Sequence, residues 1–517
     1  MTDPSRPSSE KPEANNGHTR RDTIKYLIAG SVAAACPVPS FAMPGAAPDV
    51  KLGSERNDIC HSVRDGHTFK TPAVSSHHDV VIIGGGPSGL LSAYLLRDKD
   101  FLLLEKEARL GGNAISENWK GIWYSTGAAY QMDDELQALC RKIGMTIYPI
   151  RSVDAAIIND TVVPEFWAGG YQNAPYPDRV KKSWEQFFTD MKKLNQKPDI
   201  EKLDNMTFAE LLQPYEPELT AFFDNFGPNN WGGQTHDTSG YIGAQSVLWG
   251  GGIQPERYTW SGGLGRISLA LEDALKKTAA SRLRKEATVI SVEQKGAVVH
   301  VTYMENGALK TIAAKTAIIA CPKFIGKKIV KGLDDDHVDA MGAMRYQPYL
   351  VVNVCFDQVV YNGSYDTNIP SPSPIVDFNI ADWVLGRDNK EKNRPHVLTC
   401  YVPKRESQRS TLLDDEQVKK TGEVVVEHLN KWFPGSREHV EEVHIYRRGH
   451  PMYVSAPGVL TRIAPKIRKP LGNIFFAHSD SEGGISEYSS AYVAARRVKG
   501  EVTQALDKGA KAHAAKA

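Results

Sequence analysis

An apolar run, Asp79-Val-Val-Ile-Ile83, breaks into Gly84-Gly-Gly-Pro-Ser-Gly89 and resumes as a helical pattern through Leu90, Leu91, Tyr94 and Leu95. A second apolar run, Phe101 to Leu104, ends at Glu105, 21 residues beyond Gly84, with Lys106 next. Each piece has a physical task. Gly84 permits the tight turn and Gly86 lets backbone approach a pyrophosphate. Gly89 allows close helix–strand packing, and the helix start at Pro87 and Ser88 offers free N–H groups to an anion. A carboxylate at Glu105 can accept hydrogen bonds from ribose hydroxyls. Strand, glycine turn, helix, strand and acid together predict a dinucleotide site on a parallel sheet.

At 517 residues and 41% hydrophobic content, the chain can bury a large core and is expected to hold two interleaved domains. A net charge of +1 gives no electrostatic case for nucleic acid or an anionic membrane as main partner. Twenty Tyr and nine Trp, several mid-chain, suit an aromatic-lined pocket. Six cysteines at 36, 60, 140, 321, 355 and 400 show no CxxC spacing, so neither a disulfide framework nor a metal site is expected.

The first 42 residues read as a targeting segment. Thr19-Arg20-Arg21-Asp22-Thr23 precedes an uncharged apolar run from Tyr26 to Cys36, then Pro and small residues to Ala42. The run is too short to span a bilayer. It resembles a twin-arginine signal peptide, which carries folded, cofactor-loaded proteins, and so predicts a periplasmic or secreted protein. Membrane contact is then expected only through this segment; lipid anchoring at Cys36 is the lesser alternative. Residues 43–77, including Cys60-His61, read as a solvated linker.

Later segments fit a flavoprotein pattern. Arg109 is followed by Gly111-Gly112, where backbone can pass beside a pyrophosphate and flavin. Residues 288–320 alternate as strands with a turn at Asn306-Gly307. Asn473 to Ala477 reads as a buried strand ending at His478-Ser479-Asp480, where the acid can bind a ribityl hydroxyl. A helix starts near Ser486 and runs through Tyr488, and its N-terminus can stabilise negative charge on a reduced flavin.

By these motifs, together with Tyr258-Thr-Trp-Ser-Gly-Gly263, the chain resembles the flavin-containing amine oxidase superfamily over most of residues 78–506. The resemblance implies an α/β fold: a Rossmann-like FAD-binding domain built from three chain segments, plus an interleaved α+β substrate domain. The expected segments are 78–144, 251–334 and 466–506 for FAD. Those for substrate are 145–250, with a helical lid, and 335–465, with a tail at 507–517. It implies FAD as cofactor, backbone contact to the adenine at Val289, and Tyr488 as one ring of an aromatic cage around a substrate nitrogen. The other ring falls among Arg447 to Tyr453; Tyr453 is a candidate, although the register favours Pro451. His450 stands where some members link the flavin covalently. It is read as an acid/base or donor beside the flavin, a covalent anchor, or a buried histidine.

One position departs from the family. A lysine linked to the reaction with oxygen is expected on the strand Tyr349 to Phe356, which has none; Asn353 stands nearest its place. A neutral amide cannot supply positive charge to electron transfer. A dehydrogenase using a periplasmic cytochrome or quinone therefore competes with an oxidase using O2. The loop Asn229 to His236 offers Gln234 and His236 to a pocket, and Glu482 and Glu487 stand close to Tyr488.

The expectation is thus an exported FAD-dependent oxidoreductase moving a hydride from an amine or related small molecule to flavin N5. The alternatives are a desaturase or dehydrogenase on a non-amine substrate, a redox-neutral isomerase, an NAD-dependent dehydrogenase and a non-catalytic flavin-binding protein.

Overall fold

The apolar run at Val80 forms the end of a strand, Val74–Ile83, that lies inside a sheet and is covered on both faces, which is why its last residues are hydrophobic without alternation. The computed structural model describes residues 48–53, 58–250, 257–387 and 389–514. The twin-arginine stretch, Cys36, Gly251 and Gly252 lie outside the described residues.

Val74–Ile83 pairs in parallel with Phe101–Leu104 on one side and with Ala308–Ile319 on the other. Ala308–Ile319 also pairs in parallel with Ile474–Phe476. A hairpin through Asn306 and Gly307, both at positive φ, joins it antiparallel to Val298–Glu305, which pairs with Ala287–Lys295. With Leu283–Arg284 at the edge, this makes a seven-stranded sheet from three separated stretches of chain. One face carries Leu90, Leu91, Ile267, Leu271 and Val498; the other carries Val292, Ile329, Met341 and Ile467.

A second, eight-stranded mixed sheet is ordered Asp49–Gly53, Val440–Tyr453, Tyr346–Phe356, His396–Pro403, Asp377–Ile380, Asp366–Asn368, Ala155–Ile158 and Thr161–Val163. Alternate residues of its long strand, Leu350, Val352, Val354 and Phe356, pack with Val425 and Leu429 of the helix Asp415–Trp432. Tyr349 and Val351 therefore face the opposite side. Helix Asp178–Leu194 buries Val180, Trp184, Phe187 and Met191, spaced at helical intervals. These rings join Trp167, Phe222, Phe223 and Trp231 in an aromatic core of their own. Most of the expected lid aromatics therefore serve packing.

The linker reading of 43–77 is corrected. Asp49–Gly53 adds a parallel edge strand beside Glu442–Tyr446, and Asp58–Arg64 is a helix. A polar, charged stretch of this kind suits an edge strand and a half-exposed helix, which need little hydrophobic content.

Candidate functional site

A cavity of about 1540 Å³ runs between the two sheets, bordered by the glycine turns on one and by Tyr349, Val351, Asp366, Asp377 and Tyr401 on the other. That exceeds the roughly 300–1,000 Å³ typical of a small-molecule pocket and leaves room for a dinucleotide and a substrate together.

The dinucleotide end is built from backbone. The helix Pro87–Leu95 starts at Gly86 with no side-chain cap, so its first N–H groups remain free for an anion. A Cβ at Gly89 would fall on the carbonyl oxygen of Gly84. Gly112 has φ +56°, and a Cβ there would come within 3.0 Å of Gly86 Cα. Two chain segments therefore meet at a distance only glycine tolerates. Gly84, Gly86, Pro87, Ser88, Glu105, Lys106, Arg109, Gly112 and Val289 all border the cavity. Gly89 and Gly111 do not, and act on packing: a Cβ at Gly111 would meet Ala114 O at 2.6 Å.

Glu105 is buried, and its two carboxylate oxygens accept the N–H groups of Gly85 (2.6 Å) and Glu107 (2.8 Å). Burial raises its pKa and these two donors oppose the rise. Each oxygen keeps a second lone pair for a ribose hydroxyl. Lys106 pairs with Glu107, and Arg109 with Glu117 and the Ser116 carbonyl, so neither side chain is an uncommitted phosphate donor. The uncapped helix, the glycine contact and the oriented acid fit an ADP moiety.

The flavin end is bordered by His450, Pro451 and Met452 from Val440–Tyr453, by Cys321 and Phe324, and by Ser486, Glu487 and Tyr488 at the start of helix Tyr488–Ala514. Asn113 Nδ2 donates to the Pro451 carbonyl at 3.1 Å. The His450 ring sits 4.4 Å from that of Phe324, and burial first, then Arg409, pushes its pKa down to about 4. At neutral pH it is a neutral ring, able to accept or donate a hydrogen bond but not to act as a cation. Helix Asp58–Arg64 closes over this region with Cys60 and His61, which the sequence reading leaves in a solvated linker.

Asp480 is corrected. It does not border the cavity; it is fully buried, paired with Lys323 Nζ at 2.8 Å and accepting from Tyr346 OH at 2.6 Å and the Lys323 N–H at 2.9 Å. The strand end does place an acid close to the site, but a lysine across the sheet claims it. His478 and Ser479 reach the cavity instead.

Tyr453 is likewise corrected. It packs among Ile467 and Phe476, and its hydroxyl donates to the Gly484 carbonyl at 2.8 Å, away from the cavity. Asn353 is fully buried two cross-strand pairs beyond Val351. Its Oδ1 accepts from Thr399 Oγ1 at 2.7 Å, and it does not border the cavity. Tyr488 borders the cavity while its hydroxyl lies 3.5 Å from the buried Ser268 Oγ. A two-ring cage from Tyr488 and Tyr453 is therefore absent among the described residues. Gln234 and His236 do not border the cavity, and the His236 side chain is 64% exposed. Asn229 and Asn230, the last residues of helix Pro217–Asn230, do. Glu482 pairs with Arg497 at 2.9 Å, a structural role.

The substrate wall holds what the sequence reading passes over: Asp154, Arg257, Asp366 and Asp377 beside Tyr130, Tyr349 and Tyr401. A signal for it exists. Asp366-Thr-Asn368 and Asp377-Phe-Asn379 repeat Asp-x-Asn, and every residue of both strands is buried. Polar residues at period two on buried strands mark a polar stripe facing one side.

The model of the family described as flavin containing amine oxidoreductase matches residues 87–498. The bovine (Bos taurus) flavin-containing amine oxidase B is 23% identical over 481 residues, covering 84% of this chain and 88% of its own. Among solved structures, the cyclohexylamine oxidase of Brevibacterium oxydans superposes with a TM-score of 0.65 at 18% identity, covering 83% of this chain and 99% of its own. A putrescine oxidase bound to putrescine gives 0.64 at 18%, with the same coverage.

Proposed function

This chain belongs to the flavin-containing amine oxidoreductase family and is an FAD-dependent oxidoreductase acting on a small molecule, and on that premise we propose that its substrate is an amine oxidised at the carbon bearing nitrogen. The observation that carries the reading is the single cavity joining a dinucleotide cradle to a chamber of tyrosines and carboxyls. When bound, FAD supplies a ring that accepts a hydride.

The protein's part is positional. The first turn of Pro87–Leu95 and Glu105 would anchor the ADP half, and Ser486 with the start of Tyr488–Ala514 would stabilise negative charge on the reduced ring. Tyr349, Val351 and Tyr401 would hold the substrate on the opposite side and keep water from it. His450, neutral at physiological pH, offers a hydrogen bond rather than proton transfer. The imidazole and the carboxyl placed at the flavin end are those of His450 and Glu487, and burial pushes the Glu487 pKa up; hydride loss from a neutral amine would need neither as a strong base.

The strand Tyr346–Phe356 carries no lysine, and its Asn353 is turned to Thr399. We therefore propose slow reaction of the reduced enzyme with O2 and electron delivery to another acceptor, a periplasmic cytochrome or quinone if the segment around Arg20 and Arg21 directs export.

The test is anaerobic reduction of the FAD holoenzyme by a panel of primary and secondary amines, followed at ~450 nm, then admission of air. Failure of every amine to bleach the flavin sinks the amine reading. Reoxidation within about a second would make the protein an oxidase and overturn the proposed slow reaction with oxygen. Recovery over many minutes fits a dehydrogenase.

A further inference from the structure

On the wall supplied by the eight-stranded sheet, two carboxyl groups stand side by side. Asp366 and Asp377 lie on the paired strands Asp366–Asn368 and Asp377–Ile380, diagonal to one another in the register. Their side chains are within hydrogen-bonding reach. Asp377 Oδ2 accepts from Asn368 Nδ2 at 2.9 Å and from Asn229 Nδ2 at 3.2 Å. No hydrogen-bond donor among the described residues reaches Oδ1 of either aspartate, although Asp366 is only 4% exposed and borders the cavity.

The nearest cation is already taken. Arg257 grips both oxygens of Asp154, at 2.5 and 2.9 Å, and stands 3.8 Å from Asp366 Oδ2. One guanidinium thus serves two carboxyls, Asp154 and Asp366. Around the pair stand the phenols of Tyr130, Tyr349, Tyr365 and Tyr401 and the Cys400 thiol, all pushed upward by burial and neutral. Burial first, then the neighbouring Asp366 carboxyl, pushes the Asp377 pKa well above the usual carboxylate range.

The surroundings suit an organic cation. Tyr349 and Tyr401 border the cavity with ring centroids 6.2 Å apart and planes at 77°. Their hydroxyls are committed, Tyr349 to Asn229 Oδ1 and Tyr401 to the Gly127 carbonyl at 2.8 Å. What they offer a ligand is ring surface, which attracts cations and tolerates alkyl chains.

We propose that the Asp366–Asp377 pair binds a cationic group, an ammonium, at the end of the substrate that is not oxidised. This rests on the amine reading above and adds that the substrate carries a second positive charge. One end lies at the flavin as a neutral amine, while the other is held as an ion between two carboxylates and two tyrosine rings. A neutral or anionic tail would leave a carboxyl unpaired in a buried site.

The experiment compares α,ω-diamines of graded length with the matched n-alkylamines and with ω-amino alcohols, which copy the length but not the charge, on the FAD holoenzyme. The proposal expects a diamine of fitting length to be preferred about tenfold or more in kcat/KM, chiefly through KM. In Asp377→Asn and in Asp366→Asn that preference should fall toward one, with bound flavin retained. Equal turnover of diamines and amino alcohols by the unaltered enzyme overturns the proposal without any variant. The amine reading fails separately, when none of these compounds reduces the flavin. In that event, perturbation of the flavin spectrum by diamines against neutral diols decides the cation site: no tighter binding of the diamine overturns it.

Discussion

Asp480 and Asp377 are both buried aspartates close to one cavity, and they have opposite electrostatic fates. Asp480 meets Lys323 at 2.8 Å, with both side chains at 0% exposure, and lies close to His478. Burial alone would raise its pKa, but the attraction of His478 and Lys323 wins and holds the carboxyl well below the usual range. Asp377 has amide donors on one oxygen and another acid beside the other, so burial wins and the carboxyl is pushed well above it. The first acid has its counter-charge inside the fold, and the second does not. A buried carboxyl paired within the protein is architecture; one left facing a cavity without its cation is a place for a ligand.

The largest way to break this contrast is to remove the internal cation. Lys323→Met leaves Asp480 with only His478 beside it in the core and should cost about 3 kcal/mol of stability. In urea titration of the holoenzyme, the double variant Lys323→Met/Asp480→Leu should recover most of that loss. If the single and double variants unfold alike, Lys323 and Asp480 are not coupled and the architectural reading of Asp480 fails.

A smaller effect sharpens the other side. Asp377→Asn replaces a crowded acid by an amide able to donate to Asp366 Oδ1, so it should gain about 1 kcal/mol at neutral pH. The pH dependence fixes the sign. With a folded pKa above the unfolded value of about 3.9, Asp377 contributes stability that is full below the unfolded pKa and lost as pH rises through the folded one. The variant's advantage should therefore grow from about pH 4 upward. Asp480 runs the other way: its contribution is full above the unfolded pKa and lost as pH falls through the folded one. A constant difference between Asp377→Asn and the unaltered protein from pH 4 to about pH 8 would show that Asp377 does not titrate as argued.

The same contrast explains what was legible in the sequence. Gly84, Gly86, Gly89 and Glu105 are readable because their tasks are set by backbone geometry within one strand–helix–strand unit, where spacing is structure. Asp480 is readable as an acid at a strand end, but not as Lys323's partner: the two lie 157 residues apart and meet only because Ile474–Phe476 joins the sheet beside Ala308–Ile319. The substrate wall is harder still. Asp154, Asn229, Arg257, Asp366, Asp377 and Tyr401 come from separated stretches; the loop at Asn229 and the motif after Arg257 are readable, but neither singles out these side chains, and only the repeated Asp-x-Asn marks the pair. Asn353 was placed on its strand by pattern, yet its side chain is turned aside by Thr399 across the ladder, a contact that spacing cannot give.

Tyr453 provides the smallest and most discriminating test. Like Tyr401 it is a buried tyrosine that donates to a backbone carbonyl, Gly484 in one case and Gly127 in the other. Only Tyr401 borders the cavity. Tyr453→Phe should therefore lower stability by about 1 kcal/mol through the lost hydrogen bond. It should leave unchanged the rate of anaerobic flavin reduction by whichever amine proves active. Tyr401→Phe loses both the bond donated to Gly127 and the one accepted from Asn379 Nδ2, and also alters the surface a substrate meets, so its effect should appear in KM as well as in stability. A fall in flavin-reduction rate for Tyr453→Phe, with unfolding unaffected, would return that residue to the active site and place the cavity wall elsewhere. The two tyrosines differ in cavity against core and in the bond that Tyr401 accepts from Asn379 Nδ2, and the split between KM and stability separates the two.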